Sequence, residues 1–251
     1  MTTTDTALTS HAATAETRTW SEPEHLTARG TLILLVGRGE TPEVYQRFGS
    51  RIAADAYRVI AVDDDPGAAS TATALLADST LPGPAILVGV DSGASTVVDL
   101  VRSGARPAAV VLAGLPVRPG PAGHAWGGSW EAEIAARTAC PNHRAVLTRS
   151  ARGSLAEALR TAPPVIQVDP GDLGLPVLAL HGGADRISPA DEAVPALLGL
   201  GAQVHLVADG LHDVLNDVQH RSVAATIVLF LEQLRAGGTV VESVTAPGGT
   251  R

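Results

Sequence analysis

The sequence predicts an α/β protein with a doubly wound, mostly parallel sheet and a short lid insertion. Short apolar runs bounded by Gly, Pro or acidic residues alternate with stretches of helical spacing, and this pattern breaks between residues 116 and 175. Continuously apolar runs are typical of buried parallel strands, because helices cover both faces of such a sheet. Their alternation with helices predicts crossover connections between parallel strands.

The individual elements follow from these patterns in chain order. Strands are predicted at residues 31–36, 57–62, 85–90 and 108–113 before the break, and at 177–180 and 203–207 after it. Val44, Phe48 and Ile52 share one face of a predicted helix, and Val97 and Val101 share a face of another. A further helix is expected after residue 189, and a final one over residues 218–234.

Length and composition indicate a single globular domain. The chain has 251 residues, of which 45% are hydrophobic and 18% charged, enough to bury a substantial core. We expect a disordered tail at residues 1–28, an α/β domain at 29–236 with its lid at about 116–175, and a flexible tail at 237–251. Neither a signal peptide nor a membrane-spanning apolar stretch is evident, and Cys140 is the single cysteine. These features predict a cytoplasmic protein.

The charge pattern bears on the expected partners. The formal net charge is −8 and no run of Lys or Arg occurs, so binding to nucleic acid or to an anionic membrane is not expected. No CxxC motif or His-rich cluster suggests a structural metal, and no cofactor is expected. A small molecule is the expected partner, and the sequence leaves a homodimer open.

The most informative segment for chemistry is GVDSGA at residues 89–94, between a predicted strand and a predicted helix. Small residues on both sides of a nucleophile allow the tight strand-to-helix turn called the nucleophile elbow, which would present Asp91. Asp91 could instead only cap the following helix. Ser92 is a rival nucleophile, although a role as a backbone N–H donor suits it better.

Together with two later segments, this elbow resembles the α/β-hydrolase superfamily, and most of all its monoacylglycerol lipase and lysophospholipase branch. Residues 175–193, LPVLALHGGADRISPADEA, resemble the acid-bearing strand end and imply Asp185; residues 204–217, VHLVADGLHDVLND, resemble the histidine turn and imply His212. The order nucleophile, acid, histidine is that of the family. The resemblance covers residues 31–234.

The resemblance also implies an oxyanion hole and a substrate-binding region. Residues 32–49 resemble the oxyanion-loop segment, which implies the backbone N–H groups of Arg38 and Ser92 as donors and places Gly37 at the substrate. Val36 stands where the family usually has His. In the lid, Trp126 and Trp130 either line the substrate cleft or anchor the lid to the core.

An elbow aspartate implies covalent catalysis without a base to activate the nucleophile, since a carboxylate is already ionised at neutral pH. Family members with this residue are haloalkane dehalogenases and epoxide hydrolases, but the Trp after the nucleophile and the cap tyrosines typical of them are missing here. The expected activity is hydrolysis of a small, mostly apolar ester, thioester or activated C–O or C–X bond. One alternative is acyl transfer or another non-hydrolytic biosynthetic reaction on the same scaffold, including one in which Asp91 acts as a base. The other is ligand binding without catalysis by a protein that has lost its serine.

Overall fold

Seven strands form one sheet in the order β1-β3-β2-β4-β5-β6-β7, all parallel except β1. The structure is a computed structural model that describes residues 14–117, 129–150 and 171–241. The strands are β1 Thr17–Trp20, β2 Gly30–Leu35, β3 Tyr57–Val62, β4 Ala85–Val90, β5 Ala109–Ala113, β6 Val177–Gly182 and β7 Gln203–Val207. The predicted doubly wound parallel sheet is thereby confirmed.

Helices cover both faces of this sheet. They are a 3₁₀ turn at Pro42–Tyr45, α1 Gln46–Ala54, α2 Ala68–Ala77, α3 Ser92–Arg102, α4 Trp130–Arg137, α5 Pro141–Ser150, α6 Ala190–Gly199 and α7 His220–Ala236. Helices α1 and α7 pack on one face and α2, α3 and α6 on the other, so β2, β4 and β5 are buried from both sides. That explains why these strands are continuously apolar.

One expectation at the amino terminus is wrong. The tail predicted to be disordered over residues 1–28 contains strand β1, which pairs antiparallel with β3. The ring of Trp20 packs directly on Gly49, where an added Cβ would lie 2.3 Å from it. Strand β1 begins with three consecutive polar residues and gives little hydrophobic signal, so only pairing with the sheet edge makes it a strand.

The lid predicted at about residues 116–175 is described in part. Its described portion contains α4 and α5, from which Ile134 and Leu147 are buried in the core cluster beside α1 and α7. Trp126 lies outside the described residues, as does most of the carboxyl-terminal tail. None of the helices within the described ranges is long and apolar enough to cross a lipid bilayer.

The strand order has a topological switch point at the carboxyl ends of β2 and β4. After β2 the chain moves to β3 on one side, and then returns to place β4 on the other side of β2. Such a reversal leaves a gap between the loops that follow the two neighbouring strands, which is where open α/β sheets bind ligands. The loops after β2 and β4 carry Gly37 and Asp91 at this position.

Candidate active site

Asp91 lies at the turn between β4 and α3 in a strained backbone conformation, with φ 49° and ψ −122°. A residue other than glycine at such angles costs on the order of 1–3 kcal/mol, and such residues cluster at functional sites. The turn is possible only because its neighbours are small. A Cβ on Gly89 would lie 2.4 Å from the Cα of Ala94, and one on Gly93 would lie 2.3 Å from the carbonyl oxygen of Leu35.

His212 and Asp185 meet Asp91 at this edge of the sheet. His212 Nε2 lies 3.5 Å from Asp91 Oδ1, and His212 Nδ1 lies 2.8 Å from Asp185 Oδ2. Asp185 is itself held in place, because its Oδ1 accepts the backbone N–H groups of Ile187 at 2.8 Å and Ser188 at 3.0 Å. The three residues implied by the resemblance therefore form one connected, buried group.

Electrostatics within this group favour an ion pair between Asp91 and His212. Burial by itself would lower the pKa of His212, but Asp185 and Asp91 outweigh burial and raise it to about 10. Burial would likewise raise the pKa of Asp91, but the positive charges of Arg137 and His212 hold it well below its usual range. Asp91 is therefore a carboxylate, and His212 an imidazolium, at neutral pH.

A second charged group, centred on Arg137, contacts Asp91 from the other side. Arg137 ends α4 and is fully buried. Its Nη2 donates to Asp91 Oδ2 at 3.2 Å, its Nη1 to Asp213 Oδ1 at 3.2 Å and its Nε to Glu133 Oε1 at 3.1 Å. His143 Nε2 lies 3.0 Å from the other oxygen of Asp213. Sequence reasoning missed this cluster: the spacing of Glu133 and Arg137 indicates a helical pair but not its target.

Glu40 lies beside the Arg137 cluster, within the loop that follows β2. Tyr45 donates a hydrogen bond to Glu40 Oε2, and burial, then the negative charge of Asp213, raise the pKa of Glu40 to about 7. Glu40, His143 and Asp213 each offer a ligand atom, and these atoms lie within 4.8 Å of one another. Because Tyr45 and Arg137 already donate to these carboxylates, a cation here would have to compete with a fixed guanidinium.

The remaining predicted site residues are placed as follows. A Cβ on Gly37 would lie 3.3 Å from that of Asp91, so the loop and the elbow are in contact. Ser92 begins α3, where backbone N–H groups have no partner within the helix, and its buried Oγ has no hydrogen-bond partner among the described residues. Arg38 is half-buried near Asp91, and Trp130 packs against the core cluster.

The architecture is shared with solved structures of low sequence identity. A monoacylglycerol lipase from Paleococcus ferrophilus is 15% identical, with 88% of this chain and 99% of that chain covered and a TM-score of 0.66. A lipase-esterase related protein from Clostridium acetobutylicum is 13% identical over 87% and 100% of the two chains, with a TM-score of 0.72. An esterase from a Rhodococcus species is 21% identical over 87% and 94%, with a TM-score of 0.63.

Comparisons of sequence alone give no such relatives. No protein-family profile matches the chain, and no curated protein matches its sequence. The structural matches nevertheless extend over nearly the whole of both chains. The chain therefore has the α/β-hydrolase fold.

Proposed function

We propose that the protein is a hydrolase in which Asp91 forms a covalent ester with a small, mostly apolar substrate and His212, oriented by Asp185, directs its hydrolysis. The observation that carries this proposal is the strained carboxylate of Asp91, 3.5 Å from an imidazole that a second carboxylate holds at 2.8 Å. A backbone strain of this kind persists only where the surrounding structure maintains it. A protein that only binds a ligand has no need for that arrangement.

The first half-reaction requires no base. Asp91 is ionised, so one of its oxygens attacks a saturated substrate carbon and displaces the leaving group with its electron pair. Attack on a carboxylic ester or thioester would instead give a mixed anhydride, a less stable product. Activated C–O and C–X bonds are therefore the preferred substrates in this proposal, and esters the second choice.

The second half-reaction depends on a change in His212. While Asp91 is an anion, it stabilises the imidazolium of His212. Esterification removes that negative charge, so the pKa of His212 falls and its proton passes to the leaving group or to solvent. Neutral His212 can then accept a proton from the water that attacks the ester. The backbone N–H groups of Arg38 and Ser92 are the proposed oxyanion donors, and α4 and α5 belong to the proposed lid.

A panel of three probes tests the activity: n-butyl bromide, styrene oxide and p-nitrophenyl butyrate. We expect turnover of at least one probe, a loss on the order of 10⁴-fold in Asp91→Asn, and a change of less than about threefold in Ser92→Ala. Loss of turnover in Ser92→Ala but not in Asp91→Asn would identify Ser92 as the nucleophile. Acceleration by an added alcohol or amine would indicate acyl transfer, and thermal stabilisation by the probes without any turnover would indicate a binding protein.

A single turnover in heavy-oxygen water identifies the covalent residue. Water attacks the carboxyl carbon of Asp91 in the proposed reaction, so the heavy oxygen enters Asp91 and the first product contains none. Peptide mass spectrometry after one turnover measures this. Label in the product alone would exclude the covalent aspartate.

A further inference from the structure

The two carboxylate oxygens of Asp91 have different neighbours. Oδ1 lies 3.5 Å from Nε2 of His212, whereas Oδ2 accepts a hydrogen bond from Nη2 of Arg137 at 3.2 Å. Both neighbours are fully buried, so bulk water does not compete for either contact. The carboxylate is thus held with one oxygen beside a group that can release its proton and the other beside a charge that cannot be removed.

Arg137 is held rigidly in this position. Its side chain donates to Glu133 at 3.1 Å and to Asp213 at 3.2 Å, and its backbone carbonyl oxygen accepts the N–H of Asp213 at 2.9 Å. Asp213 directly follows His212 in the chain, which links the guanidinium to the histidine loop. Because all three nitrogens of the guanidinium are engaged, Arg137 is poorly suited to recognise a substrate anion and well suited to orient Asp91.

We propose that Arg137 is a catalytic residue: it retains Oδ2 of Asp91 as the carbonyl oxygen of the covalent ester and, together with the backbone N–H donors of Arg38 and Ser92, stabilises the negative charge that forms there when water attacks. This inference rests on the proposed covalent function. It also gives the lid a chemical role, since α4 supplies the charge that contacts the reacting carboxylate. Preorganised donors at a developing oxyanion are among the largest contributions to catalysis.

The steps balance with Oδ1 as the attacking oxygen. Its electron pair forms a bond to the substrate carbon, and the leaving group departs with the electrons of its own bond. Water then bonds to Cγ of Asp91 while its proton moves to Nε2 of His212, and the electrons of the C=O bond move onto Oδ2 beside Arg137. When the C=O bond re-forms, the Cγ–Oδ1 bond breaks, and Oδ1 leaves as part of the alcohol with the proton from His212. The second proton of the water, left on the new oxygen of Asp91, then passes to Nε2 of His212 and restores the carboxylate and the imidazolium.

Because of this order of reaction steps, the two oxygens of Asp91 remain distinct over many catalytic cycles. Each cycle replaces Oδ1 with an oxygen from water, whereas Oδ2 stays with Arg137. The test uses n-butyl bromide and styrene oxide, turned over many times in heavy-oxygen water, and counts heavy oxygens in the Asp91 peptide. We expect one label per Asp91. Two labels in the wild-type protein would overturn this role of Arg137 and leave the covalent function intact, whereas no label with either probe would overturn both.

Variants separate the two parts of the role. In Arg137→Met we expect two labels, because the carboxylate can rotate, and a second half-reaction slowed about 10²–10³-fold, so that the covalent ester accumulates in the intact-protein mass. Arg137→Lys keeps the positive charge but lacks the planar set of N–H donors. We therefore expect two labels per Asp91 and less accumulated ester than in Arg137→Met.

Arg149→Gln, an exposed arginine on α5, is the matched control and should give one label and no accumulated ester. A single label in Arg137→Lys would contradict the positioning role, and absence of accumulated ester in a folded Arg137→Met would contradict charge stabilisation. If Arg137→Met does not fold, the wild-type count and Arg137→Lys still decide the positioning role.

Discussion

Asp91 lies between two charged regions that differ in what they can do with a proton. On one side His212 and Asp185 come from the loops after β7 and β6, and His212 can change its charge as Asp91 changes. On the other side Arg137, Asp213 and Glu133 form an ion cluster whose cation stays charged at all relevant pH values. In the proposed reaction, this difference gives a division of work between proton transfer by His212 and constant charge stabilisation by Arg137.

The largest effect is expected when His212 is replaced, because this removes the group proposed to transfer protons. In His212→Gln the ester should still form, because Asp91 needs no base, but hydrolysis should slow on the order of 10³-fold or more. With n-butyl bromide the intact-protein mass should therefore show near-complete alkylation.

The histidine at position 205, on the edge strand β7, offers the control His205→Gln, which should behave as wild type. Rapid product formation in His212→Gln would contradict the division of work, because it would show that hydrolysis proceeds without this imidazole.

The next largest effect is expected on the free energy of unfolding when the positive charge of Arg137 is removed. Arg137→Met removes the guanidinium that pairs with the buried carboxylates of Asp91, Asp213 and Glu133, which should cost about 3–5 kcal/mol in the free energy of unfolding. Denaturant unfolding measures this loss.

The same denaturant series includes two comparison proteins. Arg149→Met, on the exposed side of α5, should change the free energy of unfolding by less than about 1 kcal/mol. Adding Glu133→Gln and Asp213→Asn to Arg137→Met should recover part of the loss, because fewer uncompensated charges remain buried. An unchanged midpoint in Arg137→Met alone would show that the buried guanidinium does not stabilise the fold.

A smaller, pH-dependent effect is expected at Glu40. Its pKa is raised from 4.5 to about 7, so its contribution to stability is fully present below about pH 4.5 and is lost as the pH rises through about 7. Glu40→Gln mimics the protonated acid and should therefore flatten the fall in melting temperature between these pH values.

Glu43→Gln, in the same segment but exposed, is the control for Glu40→Gln. Its carboxyl has a lowered pKa, so it contributes stability that is lost only as the pH falls below about 4.5. At higher pH, the melting temperature of Glu43→Gln should change with pH as it does in the wild-type protein. If the melting temperatures of the wild type and of Glu40→Gln fell equally with pH between about 4.5 and 7, Glu40 would not titrate in this range.

Much of the fold could be predicted from the sequence because the signals are local. The run at 57–62 and the run at 85–90 coincide with β3 and β4, and the final helix differs from its predicted bounds by two residues at each end. The elbow glycines could also be recognised, since the tight turn allows no larger side chain. Strand β1 was missed because its stability comes from pairing with β3 rather than from its own pattern.

For the site, the sequence by itself located Asp91 at the end of an apolar run, and the resemblance of two later segments to α/β-hydrolases implied Asp185 and His212. Only the tertiary structure decided that Arg137 contacts Asp91, a partner 46 positions away along the chain. A salt bridge of this kind produces no periodic pattern in the sequence, since the sequence does not specify which distant residue a single charged side chain contacts. Helix α4 must pack beside the elbow before the charge of Arg137 has a partner.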